Sequence, residues 1–261
     1  MRALNTSATG MMAQQFNLDV IANNLANVNT VGFKKATAEF QDLLYQNLQT
    51  PGALSATGGQ IPTGAQIGLG VSAGRTGQVF TQGTLQQTGR ELDVAIKGDG
   101  FFKVLLPDGT TAYTRDGALE MDAQGRLVTS DGNPVQPEII IPSDKQQINI
   151  APDGTVSVQR AGQTNFDQVG RIQLTRFINP AGLERMGGNL YKPTAASGDP
   201  IDDNPGQNGL GTLVQQTLET ANVEVVEEMI RMITIQRAYE TNSKAIQTAD
   251  EMLQGANNLK R

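Results

Sequence analysis

Neither cysteine nor histidine occurs among the 261 residues. Without cysteine there are no disulfides, thiolate nucleophiles or cysteine-ligated zinc; without histidine there are no Ser-His-Asp triads or HExxH centres. A chain with no thiol to oxidise suits compartments inside or outside the cytoplasm. Tryptophan is also missing, and aromatic residues make up only 5%. So small a supply of bulky apolar side chains predicts an elongated shape with thin cores. Basic runs are scarce: the formal net charge is -6 and the densest pair is Lys34-Lys35. That is a poor surface for nucleic acid, and no nucleic-acid partner is expected. Long apolar runs are missing too. No segment approaches the ~20 residues of a membrane span. Asn5, Thr6, Ser7, Gln14 and Gln15 interrupt the N-terminal region, so any export is expected to proceed without a cleaved secretory signal.

What the chain does have is a heptad stripe at each end. Leu4, Met11, Leu18 and Leu25 recur every seventh residue, with Ala8, Gln15 and Ala22 between them and Ile21 and Val28 widening the row. This spacing predicts a helix of about 25 residues, roughly 38 Å long, stopped by Asn27, Asn29 and Gly32. At the other end Val225, Met232, Tyr239, Ile246 and Leu253 repeat at seven, with Met229, Gln236, Ser243 and Asp250 at the alternate position. Asn222 is the expected N-cap and Gly255 the expected stop. Glu227/Arg231 and Glu240/Lys244 stand in the favourable i,i+4 order.

The middle is turn-rich. Residues 49–89 carry much Gly, Thr, Gln and Ser and read as extended arms and loops. From Leu92, short β-type runs such as FFKVLL and TVSVQ alternate with turns. Asp-Gly pairs at 99, 108, 116, 131 and 153 are hairpin signals. The expected fold class is therefore α+β. N- and C-terminal helices (1–33 with 221–261) form a coiled-coil-like assembly domain. An extended arm and linker (34–91), a central antiparallel β domain (92–191) and a return linker (192–220) lie between. Isolated helices are marginal in water, and the β domain has its own faces to cover. The two stripes are thus expected to be buried against other copies, through a heterologous contact that does not close into a ring.

Other chemistries fit poorly. GLGVSAG at 68–74 has the spacing GxGxxxG with no βαβ unit around it, so no cofactor is expected. The Asp-Gly pairs lack the spacing of a calcium loop, and no metal site is expected. No carboxylate pair is singled out among 26 acidic residues to serve a cell-wall hydrolase. The helix methionines, Met11, Met12, Met229, Met232 and Met252, suit gap-filling at an interface. No catalytic residue is expected, and the protein reads as a structural subunit.

Residues 19–35, DVIANNLANVNTVGFKK, resemble the N-terminal signature of bacterial flagellar rod and hook proteins. Residues 223–253, VEVVEEMIRMITIQRAYETNSKAIQTADEML, resemble the partner signature of that family. The signature positions are Asn23, Asn24, Leu25, Ala26, Asn27, Gly32 and Phe33, then Gln236, Arg237, Ala238 and Tyr239. Leu4, Met11, Leu18, Ile21, Leu25, Val225, Met229, Met232, Tyr239, Ile246 and Leu253 are the expected assembly interface. TGRELDVAIKGDGFFKV, LPDGTTAYTRDG, GGNLY and the IPTG at 61–64 are similar to the distal-rod branch, with the proximal-rod branch as the alternative. The resemblance implies a helical homopolymer that works as a drive shaft, crosses the periplasm, and is exported uncleaved by the flagellar export apparatus. It further implies proximal-rod, hook, P-ring and L-ring proteins as partners. The arm from Tyr45 to Gly70 is similar to the segment that distinguishes the distal rod from the hook, and its 46–62 part is expected to matter for a distal rod and hardly for a proximal one.

Overall fold

The computed structural model describes residues 2–49, 63–162 and 165–258. The fold is α+β: helix α1 (Arg2–Ala26) and helix α2 (Val225–Asn258) bracket a run of short strands. The chain divides into two compact units. One holds residues 1–25, 36–77 and 224–261; the other holds 26–35 and 78–223.

The second unit is β throughout, and its largest sheet is covered on both faces. Strands Glu184–Gly187, Leu190–Lys192, Thr111–Thr114, Phe101–Leu105, Leu174–Arg176 and Ile201–Asp203 lie side by side in that order, and Val135–Gln136 also pairs with Phe101–Leu105. Successive side chains of a strand point to opposite faces. Phe102 and Val104, with Ala112 opposite Val104, enter an aliphatic cluster with Val94, Ile96, Leu119, Val156 and Leu174. Phe101 and Tyr113 enter an aromatic cluster with Phe177, Leu183 and Tyr191, against which Phe80 packs. Tyr113 and Phe177 meet edge to face at 4.8 Å between ring centroids, a favoured aromatic geometry. Five aromatic rings gather in this one cluster, and the unit has two separate clusters in place of one thick core. A three-stranded antiparallel sheet, Lys145–Ile150, Thr155–Arg160 and Phe166–Arg171, completes the aliphatic side through Ile148, Ile150, Val156 and Val158.

The Asp-Gly pairs divide by role. Those at 108 and 153 close the hairpins Phe101–Leu105/Thr111–Thr114 and Lys145–Ile150/Thr155–Arg160. In both, the Asp carboxylate accepts the N–H two residues on, Thr110 at 2.9 Å and Thr155 at 3.1 Å, as such turns do. The pair at 131 closes a turn of the same hydrogen-bond pattern between Thr129 and Asn133. The pairs at 99 and 116 make no hairpin; they pass the chain between strands of different sheets. A turn dipeptide sets the local bend, and the partners of the flanking strands decide whether the bend becomes a hairpin.

The first unit contains both helices and two strand pairs, Ala36–Asp42 with Val71–Gln78 and Tyr45–Gln49 with Ala65–Gly68. Part of the segment read as loop is therefore strand. Residues 50–62, which hold most of the 46–62 segment, lie outside the described residues. The helix ends also differ from expectation. α2 begins at Val225, because Asn222 is engaged elsewhere, and it runs through Gly255. A Cβ at Gly255 would meet nothing within 4 Å, so no neighbour turns the chain there. Neither helix is long and apolar enough to cross a membrane among the described residues.

Candidate assembly interface

α1 and α2 lie against each other in opposite directions. Near one end Asn24 meets Glu228; at the other, a Cβ on Gly10 would stand 3.1 Å from the side-chain amide of Asn242. From the first contact to the second the chain moves fourteen residues back along α1 and fourteen forward along α2, two heptads each. Gln14, Gln15 and Leu18 border a cavity with Ile235, Gln236 and Tyr239 between these points.

The expected heptad rows take the following places. On α1, Ile21 is buried and Leu4, Met11, Leu18 and Leu25 are half-buried. On α2, Met232 and Ile246 are half-buried, while Val225, Met229, Tyr239 and Leu253 are exposed. The alternate α2 row that faces α1 is Glu228, Ile235, Asn242 and Ala249, one residue before the 229/236/243/250 row. Glu228 and Ile235 are buried, and Asn242 and Ala249 are half-buried. Periodicity fixes the repeat of seven; which row faces inward is set by the partner, and a polar row holding Glu and Asn is hard to select by hydrophobicity.

A second apolar row on α2 remains uncovered. Val226 is 70% exposed, Met229 49%, Ile230 60% and Ile233 51%. Their spacing of i, i+3, i+4, i+7 puts them on one face. Beside them, Arg231 donates to Glu227 at 2.6 Å. Lys244 lies on the exposed surface with no carboxylate within ion-pair distance, so the expected Glu240/Lys244 pair is not formed among the described residues. The strand pair of the same unit is equally bare. Leu44 is 82% exposed, and Tyr45, Leu48, Ile67 and Leu69 are also exposed.

The signature residues divide between the units. In the first, the buried Asn24 side chain accepts the Ala36 N–H at 2.9 Å and donates to the Ala36 carbonyl at 2.8 Å, so one amide serves both backbone groups where the chain returns to α1. Leu25 is half-buried; Asn23, Gln236 and Arg237 are exposed, Ala238 is half-buried and Tyr239 is exposed. In the second unit, Ala26 is exposed, and Asn27 accepts the Thr30 N–H at 3.1 Å to form the turn after α1. Gly32 has φ +67, and a Cβ there would stand 2.8 Å from the Arg115 carbonyl carbon. Only glycine fits such a place. Phe33 lies under the Arg185 guanidinium, 5.1 Å from the ring centroid, a cation–π distance.

Sequence reasoning missed the ionic knot beside these residues. Lys34 is buried, with its ammonium 2.5 Å from Glu219 Oε1 and 2.8 Å from the Thr81 carbonyl. Arg115 Nε is 2.9 Å from Glu219 Oε2 and also donates to the carbonyls of Gly100 and Gly98. Burial pushes the Lys34 ammonium below its ordinary range, against the pull of Glu219. For Glu219 burial works upward, but Arg115, Lys34 and the Gly83 N–H outweigh it and hold the carboxyl below its ordinary value. Asn222 bridges the same region. Its side chain accepts the Lys35 N–H at 2.7 Å and donates to the Val79 carbonyl at 2.8 Å. The signal available was Lys34-Lys35 next to the N-terminal signature, read only as a basic pair.

Three family models match the chain. Residues 4–34 match a model described as flagella basal body rod protein, residues 95–158 a flagellar hook protein FlgE/F/G D1 domain, and residues 214–259 a flagellar basal body rod FlgEFG protein C-terminal. The chain is 52% identical to the flagellar basal-body rod protein FlgG of Borreliella burgdorferi, over 100% of this chain and 99% of that one. It is 50% identical to FlgG of Caulobacter vibrioides over the whole of both chains. Against the flagellar basal-body rod protein FlgF of that organism the identity is 34%, over 97% of this chain and 96% of the other.

Proposed function

Since the chain belongs to the FlgG family of flagellar basal-body rod proteins, and is a structural subunit of the flagellar rod, not an enzyme, we propose that it polymerises into the distal part of the rod. The polymer is a stiff hollow drive shaft between the proximal rod and the hook. It grows across the periplasm inside the P- and L-rings from subunits delivered uncleaved by the export apparatus. α1 and α2 line the tube, with the β domain outside. The division of labour is the one set out from the sequence: helical ends for assembly, an arm within 34–91, and a β domain at 92–191.

One observation carries this reading: the apolar row Val226, Met229, Ile230 and Ile233 still faces water after α1 has covered the opposite side of α2. Burying such side chains is worth roughly 1.5–3 kcal/mol each, and neighbouring copies supply the cover. The greater identity to FlgG than to FlgF favours the distal branch over the proximal one. The test is the double change Val226→Asp and Ile230→Asp in the full chain. The expected outcome is a monomer with unchanged helix content by circular dichroism that forms no rods by electron microscopy and does not restore motility. Rods of normal length from the double variant would overturn the reading.

A further inference from the structure

Glu228 is 0% exposed, and its Oε1 accepts no hydrogen bond. Its nearest cation, Arg231 Nη1, stands 3.7 Å away while the other arm of that guanidinium is held by Glu227. Oε2 receives only a long contact from Asn24, at 3.5 Å. The carboxylate borders a cavity of about 440 Å³ whose other walls include Val20, Ile21, Ala36, Thr37, Ile230 and Thr234. A buried carboxylate with an unmet acceptor is costly unless a donor reaches it. Arg231, which also lines the cavity, is shared between Glu227 and Glu228, so the unmet acceptor of Glu228 leaves room for a further cation.

We infer that the cavity receives a basic side chain from a second copy of this chain, and that Arg237 is that side chain. The inference rests on the polymer proposed above. Arg237 and Lys244 are exposed, and among the described residues neither side chain has an ionic partner. Both continue the face that carries Val226, Ile230 and Ile233, at steps of four, three, four and seven residues. A surface that buries the apolar row therefore brings Arg237 to the neighbour at the same time. Its planar, weakly hydrated guanidinium suits a buried carboxylate better than an ammonium does.

The placement also sets the type of contact. From Glu228 to Arg237 is nine residues, about 13.5 Å along the axis and half a turn around it. One group faces α1 and the other faces away. A bond between such unlike faces is heterologous; it adds copies in one direction without a two-fold that would close it. Arg237, a signature residue with no ionic partner among the described residues, thereby gains one.

The experiment is a double-mutant cycle on the purified full-length chain, with the critical concentration for assembly measured by sedimentation. Arg237→Gln and Glu228→Gln are each expected to raise it roughly tenfold or more. The double variant should be no worse than either single one, and Lys244→Gln should change it by less than about twofold. The Arg237→Gln monomer should melt at the temperature of the unaltered chain, because that side chain has no ionic partner among the described residues. Arg237→Gln assembling at the unaltered concentration would overturn the inference, as would losses that multiply in the double variant, or a Lys244→Gln effect as large as that of Arg237→Gln. If the unaltered chain itself fails to assemble, the polymer reading falls first. If it assembles and Arg237→Gln is indifferent, only the present inference falls.

Discussion

At the scale of single residues, two of the buried carboxylates have opposite fortunes. Glu219 is surrounded by Lys34, Arg115 and the Gly83 N–H, whereas Glu228 has an oxygen to spare. Glu219→Gln removes the carboxylate that bridges two buried cations and is expected to lower unfolding free energy by about 3–5 kcal/mol, read from urea denaturation. The pH dependence has a definite sign. The folded Glu219 carboxyl titrates below its unfolded value of 4.5, so its stabilising effect is whole above that pH and is lost as pH falls through the lowered folded value. Urea midpoints should therefore drop on acidification below 4.5, and Glu219→Gln should remove part of that drop. An unaltered slope in the variant would refute the assignment. Little of this was legible beforehand. Lys34 and Glu219 are 185 positions apart, and no local pattern marks two lone charges that meet through the fold.

At the scale of elements, the terminal helices were legible because a repeat of seven survives any choice of partner. Leu4, Met11, Leu18 and Leu25 announced α1, and its end at Ala26 agrees with the stop signals at Asn27 and Asn29. The inward row of α2 was less legible, since Glu228 and Asn242 occupy it and face Asn24 and Gly10. Asn222 was misread as a cap because a cap and a strand-edge bridge use the same side-chain oxygen. The element joint that matters most is Asn24. Replacing it with alanine strips both Ala36 hydrogen bonds and leaves buried backbone groups unmet, a cost of about 2 kcal/mol. Hydrogen exchange should show faster opening of the Ala36 amide and of the last turn of α1. Unchanged protection at both places would count against the clamp.

At the scale of the whole molecule, the β unit was legible as strands and turns but not as a sheet covered on both faces, because alternation looks the same whichever cluster each face meets. The low aromatic content pointed to thin cores, and five rings gathered around Phe101 supply one of them. The bare strand Tyr45–Gln49 runs into the 46–62 segment, and its partner Ala65–Gly68 follows it. Deleting 46–62 is expected to leave assembly intact and alter the straightness of the polymer, seen by electron microscopy as curved shafts. Straight shafts from the deletion would place the origin of stiffness elsewhere.

Two ties from the start of the chain reach nearly to its far end, Lys34 to Glu219 and Asn24 to Glu228, the latter across 204 positions. A polypeptide that emerges from a narrow passage one end first cannot complete either tie until almost all of it has come through. The fold thus carries its own timer. A chain threaded in that way would stay open by geometry alone, its last tie forming only once the final helix arrives.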